Sequence, residues 1–185
     1  MQNILFFGDS LTAGYGLRNP GSESFPALIS QKIAALKLDY NVINAGLSGD
    51  TSAGGVRRMD YWLNTPIDIF VLELGVNDII RGVSPAVTRK NLQQIIDKVK
   101  AKYPDVKIAL MGMRILSTLR QPLAEQFGEI YTGLAKVNQI PLLPFFLAGV
   151  AGKAHLNLTD RLHPNADGYK IIAANVWPVI APLLS

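Results

Sequence analysis

Short apolar runs rich in β-branched and aromatic residues alternate along this chain with longer segments whose apolar residues recur at helical spacing. The runs cover residues 3–7, 40–43, 68–74, 106–111 and 140–143, and the second is expected to stop at residues 44–46 (Asn-Ala-Gly). Strands that alternate with helices are typical of a parallel sheet with helices on both faces. The sequence therefore predicts an α/β fold with five parallel strands.

Capping residues and prolines mark where several elements begin. Ser84 and Pro85 predict a helix start, with serine as the cap and proline at the first helical position. Gln121 and Pro122 open another helix, and a terminal helix is expected around residues 169–180. Proline in the fifth run suits a strand at the sheet edge. With 185 residues and no linker or repeat, residues 1–185 are expected to form one domain.

Polar, glycine-containing loops follow four of the predicted strands. They are 8–14 (GDSLTAG), 46–55 (GLSGDTSAGG), 75–78 (GVND) and, beyond the fifth strand, 160–165 (DRLHPN). Ligands of such sheets bind at the carboxyl ends of the strands. If the strand order is 2-1-3-4-5, the first three loops lie side by side and the fourth folds back over them. This placement predicts one site built from four distant segments.

Ser10, Asp160 and His163 are the candidates for nucleophilic catalysis. Ser10 lies in a strand-to-helix turn, and a serine hydroxyl needs an adjacent base, for which histidine is the usual choice. Asp160 can hold the other ring nitrogen of His163, in the chain order Ser, Asp, His. Each feature alone also fits a helix cap or a capped turn. His155 lacks such an acid and is interpreted as structural, while the fixed φ of Pro164 is expected to help aim the His163 ring.

Attack on a carbonyl also needs hydrogen-bond donors for the developing oxyanion. The candidates are the N–H groups of Ser10 and Gly49 and the side-chain amide of Asn77. Asp9 is expected to support the serine turn, and Asp78 to order the Asn77 loop. The alternatives are an ordinary turn, a flexible connection or a phosphate cradle, although the chain matches neither common phosphate-binding motif. The joint placement of these residues favours catalysis.

The composition excludes several other kinds of site and partner. The chain has no cysteine, which rules out disulfides, thiolate metal sites and cysteine nucleophiles. Its net charge of +4 is dispersed, so no nucleic-acid partner is expected. No apolar run approaches 18 residues, so no membrane-spanning segment is expected. The N-terminus lacks a signal-peptide pattern, which indicates either a cytoplasmic protein or a mature form with Met1 added.

Taken together, the four polar loops resemble the conserved blocks of the GDSL esterase, or SGNH hydrolase, family. The family blocks fall on Ser10, Gly49, Asn77 and, as DxxHP, on Asp160 and His163. The resemblance implies a flavodoxin-like three-layer α/β/α sandwich with strand order 2-1-3-4-5. It also implies a catalytic triad of Ser10, Asp160 and His163, an oxyanion hole of Ser10, Gly49 and Asn77, and neither cofactor nor metal.

Residues 44–58 (NAGLSGDTSAGGVRR) and 141–150 (PLLPFFLAGV) resemble the small bacterial arylesterases and the acyl-CoA thioesterase I/lysophospholipase L1 group. This narrower resemblance implies small-molecule substrates: aryl or short- to medium-chain acyl esters, thioesters or lysophospholipids. It also implies a periplasmic or secreted location, with the cytoplasm as the alternative. A carbohydrate O-acetylesterase and a non-enzymatic flavodoxin-like binding module are the rival functions. The oligomeric state stays open, with a monomer favoured.

Three departures from the family pattern concern the loops around the predicted site. Val76 replaces a glycine of the GGND block, so that loop is expected to be less pliable. Arg161 and Leu162 stand where the family has Gly-Ile, and Arg161 either lines the rim or points to solvent. Residues 112–123 lack the Pro-Asn-Tyr-Gly loop common in relatives. Loops 78–84, 112–122 and 145–159 are expected to set substrate choice.

Overall fold

A computed structural model describes residues 1–114 and 121–184, and these contain a five-stranded parallel sheet. Its strands are β1 (Gln2–Gly8), β2 (Tyr40–Gly46), β3 (Ile69–Glu73), β4 (Lys107–Met111) and β5 (Leu142–Leu143). Their order is β2-β1-β3-β4-β5, and every neighbouring pair is parallel. The predicted α/β class and strand order are confirmed. All carboxyl ends therefore meet at one edge, where the polar loops emerge.

Helices cover both faces of this sheet. In the described part of the chain they are α1 (Ser10–Ala13), α2 (Pro20–Glu23), α3 (Phe25–Ala35), α4 (Ser52–Trp62), α5 (Val76–Ile80), α6 (Pro85–Lys102), α7 (Gln121–Asn138) and α8 (Ala166–Ile180). Short 3₁₀ turns cover Ala154–Leu156 and Ala181–Leu183. Helices α3 and α8 pack together on one side, and α4, α6 and α7 on the other. None of the helices in residues 1–114 and 121–184 is long and apolar enough to cross a bilayer.

The central strands β1 and β3 carry the hydrophobic core. Residues 4–7 and 69–72 are almost completely buried, because helices cover both faces of these strands. On one face Phe6 packs edge-to-face on Phe25 of α3, with ring centroids 5.3 Å apart. On the other Phe7 packs against Phe70 at 5.7 Å. The last residue of β3, Glu73, is also buried, and it is the one acidic residue in these strands.

The C-terminal helix is tied directly to the segment that follows β1. The buried hydroxyl of Tyr169, in α8, donates to the backbone oxygen of Leu11 at 2.8 Å. The two residues are 158 positions apart in the chain. This hydrogen bond fixes the position of α1 relative to α8.

The ends of two strands, the second and the fifth, differ from the prediction by more than one residue. The second strand does not stop at residues 44–46 but pairs with β1 as far as Gly46. Gly46 packs against α1, where an added side-chain carbon would collide with the backbone of Ala13. The fifth strand is only Leu142–Leu143 rather than 140–143, because Pro141 has no N–H for the ladder. Its edge position is confirmed.

The predicted helix starts are confirmed. The Ser84 hydroxyl accepts the N–H of Val87 at 3.3 Å and Pro85 is the first residue of α6, while α7 begins at Gln121. Residues 75–78, interpreted as a loop or turn, instead lead into the short helix α5. Of the predicted specificity loop 112–122, residues 115–120 lie outside the described residues.

Candidate active site

A chain of hydrogen bonds joins Ser10, His163 and Asp160 at the carboxyl edge of the sheet. The Ser10 Oγ lies 2.9 Å from Nε2 of His163. The Nδ1 of the same ring lies 2.7 Å from Oδ2 of Asp160. A carboxylate against Nδ1 keeps the proton on that nitrogen, which leaves Nε2 free to accept the serine proton. The fold thus brings together the three residues predicted for nucleophilic catalysis.

Asp160 also shapes the loop that carries His163. Its Oδ1 accepts the backbone N–H of Leu162 at 2.9 Å and that of His163 at 3.0 Å. The sequence left open whether this aspartate caps a turn or holds the imidazole, and it does both. The His163 N–H, the His163 ring and the Leu162 N–H, in that order, lower the pKa of Asp160 to about 2. The carboxylate therefore stays ionised at neutral pH.

Arg161 has a backbone conformation that favours glycine. Its φ is 57°, in the left-handed region, where a side chain costs free energy. The residue is exposed, as is the neighbouring Leu162. The departure from the family's Gly-Ile therefore adds backbone strain between the acid and the histidine.

The His163 ring is held from two further sides. Tyr15 packs on it with ring centroids 4.6 Å apart. The backbone oxygen of His163 accepts the N–H of Leu158 at 2.8 Å, and Pro164 pairs with Asn157 in an antiparallel bridge. Sequence reasoning missed Tyr15, because a tyrosine after a glycine gives no local signal of contact with a residue so distant in the chain.

Gly49 lies in a tight turn after β2. The N–H of Asp50 donates to the Leu47 oxygen at 3.0 Å, and Gly49 has a φ of +78°, which favours glycine. Among the described residues, no acceptor contacts the N–H groups of Ser10 and Gly49. Arg81 donates to the Gly49 oxygen at 2.8 Å. The turn therefore presents an unused donor near the start of α4.

The side-chain amide of Asn77 is already engaged. Its Nδ2 donates to Oδ2 of Asp9 at 3.1 Å and to the backbone oxygen of Asp50 at 2.8 Å. An amide nitrogen has only two hydrogens. An oxyanion would therefore have to replace one acceptor, and the bond to Asp9 is the longer of the two.

Asp9 and Glu73 form a buried acidic pair beneath Ser10. Asp9 caps α1 by accepting the Leu11 N–H at 2.9 Å, as expected for a residue that supports the serine turn. Burial, with a smaller contribution from nearby acidic charges, raises the pKa of Asp9 to about 7. Glu73 accepts the Thr12 hydroxyl at 2.8 Å, and burial holds its pKa well above the ordinary range. The sequence analysis did not identify Glu73 as part of the site, although a single acidic residue in an apolar strand could have indicated it.

Asp78 ties α5 to its neighbours. Its carboxylate accepts the backbone N–H of Ser52 at 2.8 Å and the Ser52 hydroxyl, and it also accepts the Thr88 hydroxyl at 3.2 Å. The residue is fully buried. These contacts link α4, α5 and α6, which fits the expected ordering role beside Asn77.

Within residues 1–114 and 121–184, no cluster of three or more histidine, aspartate or glutamate side chains is arranged to hold a metal ion.

The chain is similar in sequence and in structure to proteins of one known family. Residues 6–171 match the GDSL-like Lipase/Acylhydrolase family. The chain is 36% identical to Esterase TesA of Pseudomonas aeruginosa, over 99% of this chain and 90% of the relative. A crystal structure of TesA superimposes with a TM-score of 0.93 at 36% identity, over 99% of this chain and 100% of that one.

Two further relatives carry related names. The chain is 38% identical to the thioesterase 1/protease 1/lysophospholipase L1 of Escherichia coli strain K12, over 98% of this chain and 85% of the relative. It is 35% identical to an arylesterase of Vibrio mimicus, over 93% of this chain and 84% of the relative.

Proposed function

The chain belongs to the GDSL-like lipase/acylhydrolase family and is a serine ester hydrolase, and we propose that Ser10, His163 and Asp160 form its catalytic triad. The observation that carries this proposal is the unbroken contact from Ser10 Oγ through both nitrogens of the His163 ring to Asp160. A serine hydroxyl in contact with a ring nitrogen that can accept its proton is an activated nucleophile.

Acylation begins when Ser10 attacks the carbonyl carbon of an ester. Nε2 of His163 takes the hydroxyl proton as the new C–O bond forms, and Asp160 stabilises the resulting imidazolium. The imidazolium then gives this proton to the leaving oxygen or sulfur as the bond to the leaving group breaks. The products of this step are an alcohol or thiol and an acyl group bound to Ser10.

Deacylation repeats the sequence with water. His163 takes a proton from the water as its oxygen attacks the acyl carbon, and returns that proton to the Ser10 oxygen as the acyl bond breaks. The free carboxylic acid leaves and the enzyme regains its starting protonation state. No cofactor enters this balance.

The oxyanion hole in this proposal consists of the N–H groups of Ser10 and Gly49 and the side chain of Asn77. The two backbone donors are unused among the described residues, so they can bind the oxyanion without losing another acceptor. Asn77 exchanges its longer bond, to Asp9, for one to the oxyanion. Such preorganised donors supply a large part of catalysis in acyl transfer.

The substrates we propose are small acyl esters: aryl esters and short- to medium-chain esters, with thioesters or lysophospholipids as further substrates. The names of two relatives, an arylesterase and a thioesterase/lysophospholipase, support this range. A carbohydrate O-acetylesterase is not favoured by these relatives. The rival function of a non-enzymatic binding module is not favoured either, because the chain belongs to a family of ester hydrolases.

We also propose that residues 1–185 fold as one catalytic domain and act in the periplasm or outside the cell. Family resemblance supports the location. Fractionation of the native organism tests it, and activity confined to the cytoplasm would contradict it.

A covalent-labelling experiment tests the triad. An organophosphonate is expected to modify Ser10 one-to-one and to abolish hydrolysis of p-nitrophenyl acetate, because the serine oxygen displaces the leaving group from its phosphorus as His163 takes the hydroxyl proton. Ser10→Ala should neither be labelled nor hydrolyse a panel of acyl esters and acyl-CoA thioesters. Labelling at another residue, or activity that survives in Ser10→Ala, would refute the assignment.

A further inference from the structure

A single guanidinium group, that of Arg58, lies behind the proposed oxyanion hole. Its Nε donates to Oδ2 of Asp50 at 2.6 Å, its Nη1 to the backbone oxygen of Ala45 at 2.8 Å, and its Nη2 to that of Gly8 at 2.8 Å. The side chain is only 17% exposed, and that of Asp50 only 6%. One rigid, mostly buried group therefore binds three separate segments of the chain at once.

These contacts flank the segments that carry the two backbone donors. Gly8 is the last residue of β1, two positions before Ser10. Asp50 directly follows Gly49, and the third contact holds β2 just before the turn begins. The guanidinium group of Arg58 thus joins the segment that carries the Ser10 N–H to the segment that carries the Gly49 N–H.

Asp50 connects the same group to the third donor. Its carboxylate is bound by Arg58, while its backbone oxygen accepts the Asn77 amide at 2.8 Å. A shift of Asp50 would therefore move the Asn77 amide as well as Gly49.

Lysine could not replace these contacts. A guanidinium presents five donors in a fixed plane, whereas an ammonium is a point charge on a flexible stem. The Arg58 plane also lies against Phe7, with the guanidinium carbon 3.7 Å from the ring centroid. This cation–π contact fixes the tilt of the plane as well as its position.

We propose that Arg58 is a positioning residue that sets the spacing of the oxyanion donors of Ser10 and Gly49 through its contacts with Gly8 and Asp50. This role rests on the proposed function, because it presumes an oxyanion at those donors. Within residues 1–114 and 121–184, none of the hydrogen bonds or ion pairs of Arg58 reaches Ser10, Asp160 or His163, so it acts through the segments it joins.

The primary experiment compares Arg58→Lys with Arg57→Lys. Arg57 is the preceding residue on α4, and its side chain is exposed. Two rates are measured well below the unfolding temperature: kcat for p-nitrophenyl acetate, and the rate at which an organophosphonate modifies Ser10. Arg58→Lys is expected to lower both by about 10- to 100-fold with KM nearly unchanged, since misplaced groups cost rates of this size. Arg57→Lys should match wild type.

Asp50 provides a second and independent arm. Asp50→Ala removes the carboxylate that Arg58 holds and should lower kcat in the same way, while Asp50→Asn keeps an acceptor for Nε and should recover most of the loss. If Arg58→Lys does not fold, the Asp50 pair decides. Wild-type kcat and labelling rates in folded Arg58→Lys or Asp50→Ala, or an equal loss in Arg57→Lys, would overturn the role.

Ser10→Ala separates this inference from the proposed triad. Activity that survives in Ser10→Ala refutes the triad itself. An inactive Ser10→Ala beside a fully active Arg58→Lys refutes only the positioning role.

Discussion

The amide nitrogen of Asn77 lies 3.1 Å from the buried carboxylate of Asp9, so the proposed oxyanion donor is held by an acid that also caps the nucleophile helix. The resting site thus keeps Asn77 aligned before substrate arrives. In the proposed mechanism, a bound oxyanion competes with this carboxylate for one N–H, while the second N–H stays on the Asp50 oxygen and keeps the amide aligned.

Removal of the Asn77 amide should therefore slow the chemical step. Asn77→Ala is expected to lower kcat for p-nitrophenyl acetate by about 10²- to 10³-fold, the usual effect of losing one oxyanion donor. Asn64→Ala, at an exposed residue just after α4, serves as the control, because among the described residues that amide donates only to the backbone oxygens of Asp60 and Tyr61. Steady-state kinetics and circular dichroism check the result, and a folded Asn77→Ala with wild-type kcat would contradict the assignment.

Replacement of the Asp160 carboxylate should impair His163 without unfolding the loop. Asp160→Asn is expected to lower kcat by roughly 10²- to 10⁴-fold, because an amide that donates to Nδ1 stabilises the wrong tautomer. The lower end allows for solvent screening, since the Asp160 side chain is 41% exposed. Asp167→Asn removes an exposed acid paired with Lys170 and should leave kcat unchanged. Equal kcat in both variants would exclude Asp160 from the triad.

The raised pKa of Asp9 predicts a pH dependence of stability. Burial lifts this pKa from 3.8 to about 7, so the folded state binds the proton more tightly than the unfolded state. The stabilisation is therefore complete below about pH 3.8 and is lost as the pH rises through 7, at up to about 1.4 kcal/mol per pH unit. Glu73, raised for the same reason, acts in the same direction.

Denaturant titrations between pH 4 and pH 7 measure this slope. Asp9→Asn should reduce the fall in the free energy of unfolding, because asparagine does not ionise. Asp105→Asn, which replaces an exposed acid, should leave the slope as in wild type. Asp160 acts in a separate window: its pKa is lowered, so its contribution is lost only as the pH falls from about 4 towards 2. An unchanged slope in Asp9→Asn would contradict the buried-acid account.

Replacement of Arg161 by glycine should stabilise the folded state. Its φ of 57° costs a non-glycine residue free energy, so Arg161→Gly is expected to raise the free energy of unfolding by up to about 1 kcal/mol. Arg57→Gly, inside α4, should lower it by about the same amount. Thermal unfolding of the two variants gives the comparison, and a lower midpoint for Arg161→Gly would show that the arginine side chain compensates for its backbone strain.

Much of the fold could be predicted from the sequence, because buried parallel strands appear in it as short apolar runs. The order of these strands then predicts which loops lie side by side. Ser10, Asp160 and His163 were found since each residue type limits the chemistry available to it. Local sequence patterns did not predict the features that depend on contacts between distant segments of the chain. Gly46 looked like a strand breaker, but its place against α1 made it part of β2.

The residues that support the site were the least predictable. Arg58 reads as one half of a surface Arg-Arg pair, and only the folded structure shows that it turns inward to three acceptors. Glu73 and Tyr15 likewise depend on partners far away in the chain.

The hydrogen bond from Tyr169 to Leu11 has a consequence for synthesis on the ribosome. Ser10 leaves the ribosome 153 residues ahead of His163, and α8 follows the histidine. In the proposed mechanism, hydrolysis can therefore begin only after His163 and α8 have left the ribosome. A truncated product that ends before His163 would carry the proposed nucleophile without its base, so a stop in translation before that residue yields an inert fragment.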